Sequence, residues 1–167
     1  MSAISAQDAL RARLREATKS AHRALDHHPL LASLARDGLT LATYARALAA
    51  LHAPHAALEA LLAAAIPAAD FPPRHHDLAT DLAELGVAPY PLYADLPAAP
   101  DAARRIGVLY VIEGSNLGGA VIARRLAETL PPDGAATACT AACATFDFYR
   151  QHFDACFSAV PPAPTFA

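Results

Sequence analysis

Residues 110–126, Tyr110-Val-Ile-Glu-Gly-Ser-Asn-Leu-Gly-Gly-Ala-Val-Ile-Ala-Arg-Arg-Leu126, read as helix at both ends and as poor helix in the middle. Gly114, Gly118 and Gly119 each cost about 1 kcal/mol relative to alanine in a helix interior. Ser115 and Asn116 lower the propensity further, because their side chains compete for backbone hydrogen bonds. The chain is rich in alanine, so the better helix former was at hand and the glycines answer a steric demand. Glycines at i, i+4 and i+5 bare the backbone along one stripe. Either a second helix approaches closely there, or a flat ligand lies where any Cβ would collide with it. Three glycines and two backbone-competing residues within six positions exceed what close packing needs. They favour a kinked helix that faces a ligand.

The rest of the chain supplies helices on either side. Leu10, Leu14, Ala17, Ala21 and Leu25 recur at spacings of three and four, which predicts an amphipathic helix over 6–27. His28-Pro29 ends it, since a residue before proline is pushed out of the helical region. A short helical piece over 30–36 stops at Asp37-Gly38. Thr40 then caps a long helix to about Ala65, with Pro54 as a kink. Phe71-Pro-Pro73 breaks the chain, and residues 74–85 form a helix that closes at Gly86. Residues 87–100, VAPYPLYADLPAAP, are a proline-rich loop. A helix from Pro100-Asp101 is expected to carry the glycine stretch to about Leu130, and a last helix runs from 135 to 159. No stretch alternates as a strand does. The expected architecture is a single all-α domain of five or six main helices spanning 1–167, with 1–5 and 160–167 as irregular tails.

Composition narrows the function. The 167 residues are 54% hydrophobic and 17% charged, with a formal charge of −3, a balance that suits a globular core and gives no nucleic-acid footprint. Three cysteines without a CxxC pair fit reduced thiols better than a disulfide framework. Every apolar run is broken well short of a membrane span, and no basic-then-apolar leader opens the chain. The expectation is a cytoplasmic protein without membrane or nucleic-acid partners, monomeric or weakly dimeric.

Chemistry concentrates on the first helix, in LREATKSAHRALDHH, residues 14–28. At 100° per residue, Arg15, Thr18, Lys19 and Asp26 all fall within about 60° of His22. One face thus presents an imidazole, two cations before it and a carboxylate one turn after. A metal-binding imidazole usually has its second nitrogen held by an acceptor, and Asp26 is placed to be that acceptor. Arg15 and Lys19 are placed to meet anionic groups on a ligand seated over His22. His27 and His28 read as helix-end residues. His52, His55, His75 and His76 lack a partner at zinc spacing. A ligand-type histidine on one helix and a bare stripe on another suit a flat anionic cofactor with a central metal, and haem has those properties: axial imidazole, hydrophobic disc and two propionates.

At these residues the chain resembles a known family. LREATKSAHRALD is similar to the N-terminal helix of haem oxygenases, and YVIEGSNLGG to their distal helix, particularly in the bacterial branch. TLATYARALAALHAPHAALEALL and RHHDLATDLAELG resemble the second long helix and the helix after it. The resemblance runs over residues 10–130 and implies a haem oxygenase-like bundle. It implies His22 as axial ligand of the haem iron, Asp26 as the carboxylate beside it, and Arg15, Lys19, Tyr110 and Arg150 as propionate contacts. Gly114, Ser115, Asn116, Gly118 and Gly119 become the distal, catalytic face. The implied reaction cleaves haem to biliverdin, CO and ferrous iron with O2. No flavin or nicotinamide motif is present, so the electrons come from a ferredoxin or a separate reductase. A haem carrier or sensor on the same fold is the alternative. A thiaminase-like hydrolase, a di-iron oxidase and a ligand-free scaffold stand behind it.

Overall fold

The computed structural model describes residues 6–66, 71–114, 130–131 and 133–159. Among these are six α-helices: α1 (Ala6–Asp26), α2 (Pro29–Ala32), α3 (Leu41–Ala63), α4 (His75–Glu84), α5 (Ala102–Ile112) and α6 (Gly134–Ala159). A 3₁₀ turn, Ser33–Ala35, follows α2. No strand occurs among the described residues, so the all-α expectation holds.

The helix ends follow local chemistry. His28 is extended and accepts the Leu30 N–H on its ring, with Pro29 at the first helical position of α2; proline suits that position because its missing N–H is not needed there. Thr40 caps α3 by accepting the Thr43 N–H. Asp101 caps α5 by accepting the Arg104 N–H at 2.9 Å, and its second carboxylate oxygen pairs with the Arg104 guanidinium. Gly38 and Gly86 close α2 with its 3₁₀ turn and α4 at φ of +82° and +65°, a region that glycine enters without a Cβ penalty.

Helix α6 is the centre of the assembly. It packs against α5 along one side and α1 along another, and α3 holds α4. The core gathers Leu58 and Leu62 of α3, Val108 and Leu109 of α5, and Phe148, Phe153 and Cys156 of α6. Leu10 and Leu14 dock α1 on Ile106, Ala138 and Ala142. The α5–α6 contact is close enough to require glycine. A Cβ on Gly107 would lie 2.3 Å from the Ala138 carbonyl oxygen and 2.7 Å from the Ala142 nitrogen.

One expectation is corrected here. The helix that starts at Asp101 does not run unbroken to Leu130: α5 ends at Ile112, and Glu113 leaves helical geometry at ψ 0° while its N–H still bonds Leu109. Gly114 follows in a turn. The turn is tight enough that a Cβ on Gly114 would lie 2.9 Å from the Tyr110 carbonyl oxygen. Ser115, Asn116, Gly118 and Gly119, and with them the kinked glycine-rich helix, lie outside the described residues.

Candidate functional site

The polar face of α1 is the wall of an open cleft of about 830 Å³. Arg15, Lys19, His22 and Asp26 all line it, as the helical spacing required, and Tyr110 and Gly114 face them from α5 and the turn after it. Arg11 and Arg23 also line the cleft and were not singled out from the sequence. The signal was there for Arg11: eleven residues before His22 is three turns and about 20°.

A second, inner cavity of about 250 Å³ adjoins the cleft. The two share His22, Asp26, Tyr110 and Gly114. The walls differ sharply. The cleft is lined by cations with the carboxylates of Asp8 and Asp26 among them, whereas Leu25, Leu31, Leu51, Val111, Phe146 and Phe153 make the inner cavity apolar. Its polar side chains beyond the shared ones are His55 and Tyr149, whose Nδ1 and hydroxyl are 2.9 Å apart. Burial pushes the Tyr149 hydroxyl far above its ordinary pKa, with the Glu59 charge adding to the effect. Burial likewise lowers His55, against the opposing pull of Glu59.

His22 sits where these environments meet. Its side chain is 62% exposed, and its Nδ1 is 2.8 Å from the Asp26 carboxylate. A neutral imidazole in that pair donates Nδ1–H to Asp26 and presents Nε2 as a bare lone pair. The ring is steadied edge-on by Phe146 of α6, centroids 5.5 Å apart. Beneath it Thr18, fully buried, bonds back to the Leu14 carbonyl at 2.7 Å and so spends its hydroxyl within the helix.

Arg150 stands apart from this group. It pairs with Asp147 and Asp154 on its own helix and lines a separate depression with Ala17, Ser20 and Ala21 of α1. His27 bonds the Arg23 carbonyl at the end of α1, the helix-end role read from the sequence. His75 has a carboxylate partner on another helix, which sequence spacing does not show. Glu59 of α3 accepts the backbone N–H of Arg74 at 2.8 Å and of His75 at 3.1 Å, and its Oε2 lies 2.5 Å from His75 Nδ1. Burial alone would raise Glu59, but these donors hold it below its usual value. No group of three or more metal-ligating side chains with metal-site geometry occurs among the described residues. All three cysteines are free thiols, and no helix among the described residues is long and apolar enough to cross a membrane.

One comparison with known proteins bears on the family and another on the fold. The family model for heme oxygenase matches residues 8–91, which span α1 to α4. The fold is similar to that of the heme oxygenase from Neisseria meningitidis, solved in NO- and CO-bound forms, with a TM-score of 0.70 and 22% identity over 89% of this chain and 92% of that one. No curated protein sequence matches the chain.

Proposed function

The chain belongs to the haem oxygenase family, and from that premise we propose that it cleaves haem oxidatively to biliverdin, CO and ferrous iron, with O2 and electrons from an external ferredoxin or reductase. The observation that carries this reading is the position of His22. An imidazole whose Nδ1 is held by Asp26 stands on the border between a cationic cleft and an apolar cavity. Haem has the matching shape: an apolar disc, a central iron and two carboxylates at one edge.

Each residue then has a task. His22 offers Nε2 to the iron. Asp26 fixes the ring's tautomer through Nδ1–H, as acceptors behind metal-bound histidines do. Arg15 and Lys19, joined by Arg11 and Arg23, draw the propionates toward the cleft, where solvent keeps the carboxylates hydrated. Tyr110 offers a hydroxyl at the shared edge. We assign Gly114, Ser115, Asn116, Gly118 and Gly119 to the face opposite His22. Glycines at these positions carry no side chain to compete with O2, and Ser115 and Asn116 carry a hydroxyl and an amide that would hold water. Arg150, tied to Asp147 and Asp154, serves as a propionate contact only if it leaves those pairs. Haem supplies the oxygen chemistry when bound; the protein supplies a neutral nitrogen ligand, in contrast to the thiolate that promotes O–O cleavage.

The test is an absorbance series on protein with one equivalent of haem, followed by ascorbate or a ferredoxin system in air. Loss of the Soret band with growth of a broad red bilin absorption is expected. A histidine-type spectrum that never converts would replace the enzyme with a haem carrier. No Soret shift at all would remove haem from the account.

A further inference from the structure

The three cysteines differ in their surroundings. Cys156 is completely buried on α6, with its Sγ 3.3 Å from Nε2 of His152, a nitrogen that already meets the Ala50 carbonyl. Cys139 and Cys143 are only half-buried. They stand four positions apart within the continuous helix α6, which puts them about 40° apart on one face. That face meets α1. Cys139 packs with Leu10 and Leu14 and feels the charge of Arg13, while Cys143 points its thiol at the Ala17 carbonyl at 3.4 Å. One turn of α6 thus answers one turn of α1, and the two thiols share a seam.

Packing at this seam asks only for small side chains, and alanine fills Ala138, Ala141 and Ala142 beside them. Sulfur at 139 and 143 adds chemistry that packing does not need. The helix geometry opposes a disulfide. Cβ atoms four apart on a helix are about 5–6 Å from each other, against about 3.8 Å in a disulfide, so oxidation would have to unwind α6. An ion held between the two sulfurs spans the wider gap with the backbone in place. Ligand number then selects the ion. Structural zinc and iron–sulfur clusters take four ligands, and no group of three or more side chains that could hold a metal occurs among the described residues. Two thiolates complete the linear coordination of a soft monovalent ion.

We propose that Cys139 and Cys143 bind one copper(I) ion in linear two-sulfur coordination at the α1–α6 seam. Binding forms two Cu–S bonds and releases both thiol protons to water. Copper stays in the +1 state, so no oxidant or reductant is consumed. The centre carries one negative charge, which the Arg13 guanidinium of α1 offsets at Cys139 and Asp147 of α6 opposes at Cys143. Burial holds both thiols above their ordinary pKa, so each exchanges a proton for the metal. Cys156 takes no part, because the imidazole beside it is committed to the fold at both nitrogens. The site needs no haem; it goes beyond the haem oxygenase reading and does not rest on it.

The full chain, reduced and haem-free, is titrated under argon into the coloured bicinchoninate complex of copper(I). It is expected to withdraw one equivalent, seen as loss of that colour, and X-ray absorption at the copper edge is expected to show two sulfur neighbours. Cys139→Ser and Cys143→Ser each remove a ligand. Each is expected to weaken copper binding by more than about 100-fold, beyond the roughly 10–100-fold typical of losing a group behind a ligand, with circular dichroism unchanged. Cys156→Ser is expected to bind as wild type does. A wild-type chain that takes no copper from the complex would overturn the site. So would wild-type affinity in Cys139→Ser or Cys143→Ser, a loss confined to Cys156→Ser, or nitrogen neighbours in place of the two sulfurs. Haem binding is read separately by Soret titration, so failure of the copper site and failure of the haem reading give different results.

Discussion

Two histidine environments in this molecule invite comparison, the cleft along α1 and the junction where α3, α6 and the 87–100 segment meet. In the cleft His22 is exposed, held at one nitrogen by Asp26, and among the described residues Nε2 shows no protein partner. At the junction His152 is completely buried and both nitrogens are spent. Nε2 lies 2.9 Å from the Ala50 carbonyl and Nδ1 accepts the Tyr93 N–H at 3.2 Å. The Tyr93 ring stacks on it, and Tyr90 adds a bond from its N–H to Ala49, so the proline-rich segment is clamped to α3 and α6. The difference separates ligand histidines from structural ones. A histidine available to a ligand keeps a nitrogen open and a carboxylate behind the other; a histidine that builds the fold donates one nitrogen, accepts with the other, and cannot be charged without losing the acceptor.

The buried contacts of α6, the junction among them, are where damage is expected to be greatest. Gly107→Val, which forces a branched side chain into the α5–α6 contact, is expected to destabilise the fold by about 3 kcal/mol or more, read as a fall in the urea midpoint. His152→Ala removes the clamp and opens a hole, for an expected loss of about 2–4 kcal/mol and faster proteolysis within 87–100. Equal stability in His152→Ala and wild type would break the comparison at its buried end.

Acid sharpens it. Burial lowers His152, partly opposed by its Ala50 bond, and lowers His28 against the pull of Asp154. A histidine whose folded pKa lies below its unfolded value of 6.5 binds fewer protons folded than unfolded in the interval between the two. Stability is therefore expected to fall as pH drops below about 6.5, the reverse of the usual histidine pairing. Glu59, held low in the folded state, adds a second loss that begins below its unfolded value of 4.5. Chemical denaturation at a series of pH values checks both, and a His152→Gln variant is expected to flatten the upper limb.

At the cleft end the expected stability effects are smallest. His22→Ala, at an exposed position, is expected to change unfolding free energy by no more than about 0.5 kcal/mol while abolishing histidine-type haem ligation in the absorbance spectrum. Asp26→Asn is expected to leave the fold alone and weaken haem binding by about 10–100-fold. A large loss of stability in either would make His22 a structural residue like His152.

The cleft was legible because helical periodicity puts Arg15, Lys19, His22 and Asp26 on one face whatever the rest of the chain does. Helix ends at His28-Pro29, Thr40, Gly86 and Asp101 were legible for the same reason: caps and breakers act within a turn. The end of α5 at Ile112 was not, because the steric reason for Gly114 is its own preceding turn, a matter of backbone path. Gly107 drew no notice as a lone glycine in an apolar run, although it is pressed against a neighbouring helix. Nor did sequence spacing reveal the Glu59–His75 pair or the His152 clamp. Their partners lie on other elements, and a carboxylate or an imidazole bound across the fold leaves no periodic trace.

The Glu59 clasp has a consequence for how this fold tolerates change. A single carboxylate fixes where α4 begins by gripping Arg74 and His75 across fifteen and sixteen positions of sequence. The stretch between is therefore relieved of any duty to set the register of the helix that follows. Because the entropy of closing a loop grows only with the logarithm of its length, about 0.6 kcal/mol per doubling, insertions there are cheap so long as Ile66 and Phe71 stay in the core and both N–H groups still arrive at the carboxylate. A tag or a foreign peptide spliced between Ile66 and Phe71, which keep their places in the core, is expected to leave α3 and α4 in place.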